Sequence, residues 1–333
     1  MTSPATPPPG TGTGTGTDTP DLADVLAARQ RIAPYLRPTP LYAYPALDAL
    51  AGARLHVKHE NHQPVGAFKV RGGVNLISQL GPDERSGGVV SASTGNHGQS
   101  VAYAARLFGT SAIVCVPERA NPVKVESMRA LGAEVVFHGT DFDEAREHCE
   151  KLAADHGYRY IHSANEPALI AGVGTYTLEI LEERPDTDAI VVPVGGGSGA
   201  CGTCITAKAV RPSIEVIGVQ AEAAPAAYRS WRARELVTDA TSTQAEGLAT
   251  RTAFELTQRI LWELLDDFVL VSEDALTNAT RVMIEKTRNL VEPAGAAALA
   301  AVLADPARFA GRNVTIVCSG GNISPAQLAA LWP

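Results

Sequence analysis

The feature that most constrains the fold is a regular alternation between short apolar runs, several of them rich in valine and isoleucine, and longer segments with apolar residues at helical spacing. Strands that alternate with helices form βαβ units, and strands apolar on both faces are typical of parallel sheets covered by helices. The sequence therefore predicts an α/β protein with mostly parallel sheets and helices on both faces. The predicted strands are 55–58, 88–92, 112–116, 134–137, 189–194, 214–219, 268–271 and 314–318, and the predicted helices include 96–108, 122–131, 142–156, 167–183 and 275–290.

Length and charge exclude several classes of protein. The 333 residues are enough for about two domains, and 28 basic against 36 acidic residues give a net charge of −8. This balance disfavours nucleic acid and anionic membranes as partners. No apolar run approaches the roughly 18 to 20 residues that span a bilayer. Residues 1–20 are rich in Pro, Gly and Thr and lack the segments of a signal peptide, so we expect a disordered tail on a cytoplasmic protein.

Two groups of residues resemble metal ligands in type but not in spacing. Cys201 and Cys204 form a C-x-x-C, yet no second such pair accompanies it, so we interpret both as small apolar residues in the first turns of a helix. His59 and His62 do not have the H-E-x-x-H spacing, and we interpret them as loop or strand-edge histidines. We therefore predict no metal site.

A glycine loop follows the predicted strand 189–194. It reads Gly-Gly-Gly-Ser-Gly over residues 195–199 and leads into a helical segment. Backbone N–H groups of such a loop converge on an anion, and the helix N-terminus adds a favourable dipole, so the loop suits a phosphate. It lacks the lysine of a nucleotide P-loop, and Gln220 stands where a dinucleotide site has an acidic residue. The alternatives are a tight turn without a ligand or a non-catalytic phosphate- or nucleotide-binding module.

Three further segments carry polar side chains at predicted strand or helix ends. Lys69 stands beside Phe68 just inside a helix start, where partial burial would make its amine a nucleophile or base; the alternative is a surface lysine. Residues 93–97 place hydroxyls and N–H groups at a helix N-terminus, as in a carboxylate site or a simple N-cap. Ser319 follows the last strand and precedes two glycines. Ligands in open α/β sheets bind beyond such strand ends.

Taken in order, these motifs resemble the fold-type II pyridoxal-phosphate enzymes, and within them the serine/threonine dehydratase (ammonia-lyase) group. The resemblance extends from about residue 22 to 330 and is carried by GAFKVRGG (66–73), STGNHGQ (93–99), VPVGGGSG (192–199) and SGGN (319–322). It implies a tryptophan synthase β-like fold with two open, mostly parallel twisted sheets. The expected domains are a large pyridoxal-phosphate-binding domain, 21–79 plus 160–333, and a small inserted domain, 80–159. The chain ends twelve residues after Gly321, so no appended regulatory domain is expected.

The resemblance also implies a role for each motif. Lys69 would carry pyridoxal 5′-phosphate in a Schiff base and act as the catalytic base, with Phe68 against the ring. Asn96 would bind the ring hydroxyl, Ser319 would face the pyridine nitrogen, and the carbonyl of Gly247 would lie near the cofactor. The phosphate would be held by Gly195, Gly196, Gly197 and Ser198, and the substrate carboxylate by Ser93, Thr94, Gly95, Asn96 and His97.

The implied reaction is a β-elimination that converts a 3-hydroxy amino acid such as L-threonine or L-serine to a 2-oxo acid and ammonia; the water that leaves from the β-carbon is taken up again when the released enamine is hydrolysed. The alternatives are 3-hydroxyaspartate, a bulkier 3-hydroxy amino acid, or racemisation of serine. Racemases have a second serine where this chain has Thr94, so we include Thr94 as a candidate catalytic residue. Gln220 and Ala226 replace acidic residues of a cation site found in some relatives. The expected partners are a small amino-acid substrate and a second copy of the chain in a homodimer.

Overall fold

Two separate β-sheets form the framework of the computed structural model, which describes residues 19–332. The strands are β1 (Leu41–Ala43), β2 (Arg54–His59), β3 (Val89–Ala92), β4 (Ala112–Val116), β5 (Glu134–Phe137), β6 (Arg159–Tyr160), β7 (Ala189–Pro193), β8 (Glu215–Ala221), β9 (Asp267–Val271) and β10 (Asn313–Cys318). The larger sheet has the order β1–β2–β10–β7–β8–β9, and the smaller has the order β5–β4–β3–β6. Residues 1–18 of the predicted tail lie outside the described residues.

Helices connect most of the strands within the described part of the chain. They are α1 (Leu22–Ile32), α2 (Pro45–Ala51), α3 (Lys69–Ile77), α4 (Pro82–Gly87), α5 (Asn96–Phe108), α6 (Pro122–Ala130), α7 (Phe142–His156), α8 (Pro167–Glu183), α9 (Ser198–Val210), α10 (Ala226–Ala233), α11 (Glu255–Leu264), α12 (Glu273–Thr287), α13 (Pro293–Ala304), α14 (Pro306–Phe309) and α15 (Pro325–Ala330). Two single-turn 3-10 helices, Glu60–His62 and Glu246–Leu248, complete the set.

The larger sheet is buried on both faces. Its strands are parallel except β1, which runs antiparallel to β2 at one edge. In the central strand β7, Ile190 and Val192 pack into the hydrophobic cluster that contains residues of α8 and α9. Ala189 and Val191 point to the other face, into the cluster that contains α13. This two-sided burial explains the continuous apolar runs and confirms the predicted α/β fold class.

Two kinds of boundary differ from the prediction. Strands β1 and β6 were not predicted, because three and two residues are too few to show a strand pattern. The helix predicted to reach residue 290 ends at Thr287, because Arg288 adopts a left-handed backbone with φ 58° that stops the helix.

The chain crosses between the sheets twice. It forms β1 and β2 in the larger sheet, then all four strands of the smaller sheet, and returns to the larger sheet with β7. The division into domains at residues 79/80 and 159/160 stays a prediction. Among residues 19–332, no helix is long and apolar enough to cross a membrane.

Candidate active site

The carboxyl-terminal ends of strands from both sheets surround one cavity of about 410 Å³. That volume lies within the usual range for small-molecule sites. The loops after β3, β7 and β10 and the start of α3 all contribute to its wall. Every site residue predicted from the sequence lines this cavity: Phe68, Lys69, Ser93, Thr94, Gly95, Asn96, His97, Gly195, Gly196, Gly197, Ser198, Gly247 and Ser319.

Lys69 is the first residue of α3 and extends its amine into the cavity. Its Nζ donates hydrogen bonds to Ser198 Oγ at 2.8 Å and to the carbonyl oxygen of Ser163 at 2.9 Å. Both partners are neutral, and removal of water around the amine lowers its pKa from 10.5 to about 8. The backbone just before it is fixed by a hydrogen bond from Phe68 N–H to the carbonyl oxygen of Ser319, 3.1 Å. The amine is therefore held in place, and a larger fraction of it is neutral at physiological pH than for an ordinary lysine.

Two imidazoles near Lys69 are uncharged. Burial, and then the charge of Lys69, lowers the pKa of His97 to about 3. Burial, followed by Arg146 and Lys69, lowers the pKa of His162 to about 4. His97 Nε2 lies 3.4 Å from the carbonyl oxygen of Ile161, while its Nδ1 is buried without a hydrogen-bond partner among the described residues. Neither ring supplies a positive charge to the cavity at pH 7.

The glycine loop is shaped by close approaches of backbone to backbone. A Cβ on Gly195 would lie 2.2 Å from the carbonyl oxygen of Gly247, so only glycine fits there. Gly197 has φ 96°, a conformation that L side chains rarely adopt, and it directly precedes α9. Thr257 Oγ1 donates to the Gly196 carbonyl oxygen at 2.9 Å and supports the loop from outside. The loop thus presents backbone and the N-terminus of a 13-residue helix to the cavity.

The side chain of Asn96 is held from two sides. Its amide nitrogen donates to Glu292 Oε1 at 2.5 Å, and its oxygen accepts from Asn322 Nδ2 at 2.8 Å. One amide N–H of Asn96 therefore remains free for a ligand oxygen. Glu292 lies at the start of α13 and Asn322 follows β10, so their part in the site follows from tertiary contact, although Asn322 belongs to the SGGN motif that carries the family resemblance.

Sequence reasoning missed an ion-pair group at the cavity wall. Lys124, buried on α6, lies with its Nζ 2.6 Å from Glu246 Oε2 and 3.4 Å from Glu292 Oε2. Burial opposes the charge of Lys124, but the two carboxylates outweigh it and raise its pKa. A Cβ on Gly95 would lie 3.3 Å from the Lys124 Nζ, so the ammonium lies against the 93–97 loop. Because these residues are up to 168 positions apart, no local pattern could have joined them.

Four other residues that the sequence singled out as possible ligands make structural contacts instead. Cys201 and Cys204 are buried in α9, and burial raises the pKa of both thiols. His59 ends β2 with hydrogen-bond contacts to Tyr44 and Asn61. Gln220 Oε1 accepts a hydrogen bond from a backbone N–H within the fold. In the described range 19–332, no group of three or more His, Cys, Asp or Glu side chains is arranged to hold a metal.

The residues present fit pyridoxal 5′-phosphate. The loop 195–198 offers backbone and a hydroxyl at a helix N-terminus, which suits the phosphate. Lys69 offers an amine of lowered pKa for the aldehyde carbon. Asn96 keeps a free N–H for the ring hydroxyl, and the Ser319 hydroxyl, buried at the cavity wall, is a neutral partner for the ring nitrogen.

Comparisons with known proteins agree with this fit. The family model described as pyridoxal-phosphate dependent enzyme matches residues 32–320. The chain is 38% identical over 303 residues to the L-threonine ammonia-lyase of Thermotoga maritima, which covers 91% of this chain and 75% of that protein. It is 34% identical over 313 residues to the L-threo-3-hydroxyaspartate ammonia-lyase of Saccharomyces cerevisiae, which covers 94% and 96%. The structure of maize serine racemase matches with a TM-score of 0.89 and 33% identity, covering 94% of this chain and 97% of that one.

Matches of this extent and identity establish the family, and the cavity described above contains the groups that its cofactor requires. The chain belongs to the family of pyridoxal-phosphate-dependent enzymes of fold type II.

Proposed function

We propose that the enzyme is an ammonia-lyase that acts on a 3-hydroxy amino acid such as L-threonine or L-serine. The Cα–H and Cβ–O bonds break and water leaves. Addition of water to the released enamine, after tautomerisation, then gives a 2-oxo acid and ammonia. Threonine would yield 2-oxobutanoate and serine would yield pyruvate.

The observation that carries the proposal is the position of the Lys69 amine. It lies in the same cavity as the glycine loop 195–198 and the asparagine loop 93–97. A phosphate held on the first loop and a carboxylate held on the second would place a substrate Cα within reach of a base between them. Lys69 is that base in our proposal, because burial already lowers the pKa of its amine to about 8.

Bound pyridoxal phosphate supplies an electron-withdrawing system that acidifies the Cα proton of the joined substrate. Lys69 would hold the cofactor through its Nζ, and the same Nζ would take the Cα proton of the substrate. Ser93, Thr94 and the N–H groups of the asparagine loop hold the substrate carboxylate. Ser198 Oγ, 2.8 Å from the Lys69 amine, keeps that amine directed into the cavity.

The hydroxyl of Ser319 favours elimination over transamination. A carboxylate at this position would keep the ring nitrogen protonated, whereas a serine hydroxyl does not. With this serine, the site would give the cofactor a weaker electron-withdrawing effect, which would favour loss of the β-hydroxyl over transamination. Ser319 is buried at the cavity wall, where its hydroxyl lies 3.4 Å from the carbonyl oxygen of Ala294.

Racemisation is a second candidate activity, and it depends on Thr94. This residue lines the cavity, and its hydroxyl has no hydrogen-bond partner among the described residues. A hydroxyl on the opposite side of the substrate from Lys69 would return a proton to that face. We place this activity second, because the methyl group of threonine adds bulk beside the reacting carbon.

The experiment is a comparison of wild type with K69A in two assays. The wild-type protein should absorb visible light after loading with pyridoxal phosphate and release 2-oxo acid from threonine or serine. K69A should lose both covalent cofactor, measured by mass spectrometry after borohydride reduction, and activity. Chiral chromatography of recovered serine, in wild type and T94A, tests the second activity. A wild-type protein that binds no pyridoxal phosphate, or forms no 2-oxo acid from threonine, serine or 3-hydroxyaspartate, contradicts the proposal.

We also propose a homodimer, supported by the resemblance to the dehydratase group, and a cytoplasmic location. Sedimentation equilibrium at several concentrations tests the dimer, and fractionation of the source cells tests the location.

A further inference from the structure

The described side chains that line the cavity include more positive than negative groups. Its positive side chains are Lys69, Arg119 and Lys124, and its carboxylates are Glu246 and Glu292. Lys124 is paired with both carboxylates, at 2.6 and 3.4 Å. Lys69 is committed to the cofactor. Among the residues that the structure describes, Arg119 is therefore the cavity-lining cation that is left for a substrate.

Arg119 lies close in the fold to the loop proposed to hold the substrate carboxylate. It follows β4, while residues 93–97 follow β3, and these two strands are adjacent and parallel. The two loops leave the same edge of the sheet, and Ser93 N–H donates to the Cys115 carbonyl oxygen at 3.1 Å. Arg119 is exposed at the cavity, and no carboxylate among the described residues lies within 4.0 Å of its guanidinium. Its five N–H donors are thus available.

We propose that Arg119 selects 3-hydroxy amino acids whose β-carbon also carries a carboxylate, as in 3-hydroxyaspartate; this inference rests on the proposed ammonia-lyase function. A guanidinium binds a carboxylate through two parallel hydrogen bonds, a geometry that the methyl group of threonine cannot use. Lys124 does not compete for this group, because Glu246 and Glu292 already neutralise it. The elimination balances as before, and the product is a 2-oxo dicarboxylic acid with ammonia.

The test compares the holoenzyme with R119Q, R119K and a control, R232Q. Arg232 is also exposed but does not line the cavity, so the control removes the same charge at a distance. We expect the ratio of kcat/KM for 3-hydroxyaspartate to kcat/KM for L-threonine to fall at least tenfold in R119Q, mainly through KM. R119K should lose less, and R232Q should keep the wild-type ratio. A ratio that does not change in R119Q, or a wild-type enzyme inactive on 3-hydroxyaspartate but active on threonine, overturns the proposal.

A binding measurement separates this inference from the proposed function. Succinate and butyrate have the same carbon chain and differ in the second carboxylate, so their competition for the holoenzyme reports on Arg119 without turnover. We expect R119Q to weaken succinate binding at least fivefold more than butyrate binding. If no amino acid is converted, the ammonia-lyase proposal fails, while the succinate result still decides whether Arg119 binds a distal carboxylate. Equal weakening of both acids overturns the role of Arg119.

Discussion

Replacement of Arg71 by methionine tests how a buried charge cluster holds the helix that begins with Lys69. Arg71 is 1% exposed and makes two hydrogen bonds to Glu60, at 2.7 and 2.8 Å, and two to Glu179, at 2.6 and 2.8 Å. Lys58, also fully buried, donates to Glu179 at 2.5 Å. The cluster thus contains two positive and two negative groups and is neutral. R71M leaves two carboxylates facing one ammonium.

The expected loss of folding stability follows from that imbalance of buried charge. Removing one partner of a buried ion pair costs about 3–5 kcal/mol, because the remaining charge stays buried without compensation. The unfolding entropy of about 2.1 cal/mol/K per residue gives about 0.7 kcal/mol/K for a chain of this length, so the midpoint of thermal unfolding should fall by about 4–7 °C. Differential scanning calorimetry measures this shift. The same substitution at exposed Arg232, R232M, should change stability by less than about 0.5 kcal/mol.

A double variant separates charge balance from lost packing. In R71M/E60Q the remaining pair, Lys58 and Glu179, is neutral again. The double variant should therefore lose about 1–3 kcal/mol less folding stability than the sum of the losses in R71M and E60Q. A loss of less than about 1 kcal/mol in R71M would contradict a stabilising role for the charge cluster. Two single losses that add without any interaction would contradict it as well, since charge balance would then have no part in the result.

Three further results are expected. Apo-enzyme should take up pyridoxal phosphate at a rate that rises with pH, is half-maximal near pH 8 and levels off at higher pH, since only the neutral Lys69 amine attacks a carbonyl carbon. Stopped-flow absorbance follows the rate, and a half-point near the ordinary lysine value of 10.5 would contradict the lowered pKa. G195A should weaken pyridoxal-phosphate binding at least tenfold in a fluorescence titration. The Cβ of the new alanine would lie 2.2 Å from the Gly247 carbonyl oxygen, so the glycine loop must move. An unchanged Kd would show that the loop has room for the methyl group. Burial opposes ionisation of Glu179, but Arg71 and Lys58 outweigh this effect and lower the pKa of Glu179 below the ordinary 4.5. The stability that these ion pairs contribute is therefore lost as the pH falls below about 4.5 toward the lowered pKa. E179Q should lose less stability over the same pH range in acid-unfolding curves, and equal slopes for the two proteins would contradict this origin.

The pattern of the sequence predicts the elements well where they are long and periodic. Helices α5, α7 and α8 have the bounds that their apolar spacing predicts. The Asp141 side chain caps the start of α7, α8 begins at Pro167, and α5 and α7 end at glycines with a left-handed backbone. The same patterns do not predict short elements such as β1 and β6. Two or three residues in a strand gain their stability from neighbours that are distant in sequence.

The candidate site likewise contains residues that the sequence predicts and contacts that it does not predict. Glycines, hydroxyls and Lys69 could be predicted because each stands beside a strand or helix end, where local sequence decides backbone direction and where ligands bind. The pairing of Lys124 with Glu246 and Glu292, and the support of Asn96 by Asn322, could not. Those contacts join helices, a 3-10 turn and loops that only the packing of two sheets brings together.

The α/β class, the order of the motifs and the chemistry that each motif offers follow from the amino-acid sequence, because these depend on periodicity and on residue type near element ends. Tertiary contacts, in contrast, set which charges in the cavity are balanced and which remain for a substrate. Arg119 and Lys124 look alike in the sequence, five residues apart with the same charge. The fold buries Lys124 between two carboxylates and leaves Arg119 exposed at the cavity, because electrostatic pairing depends on distance in space.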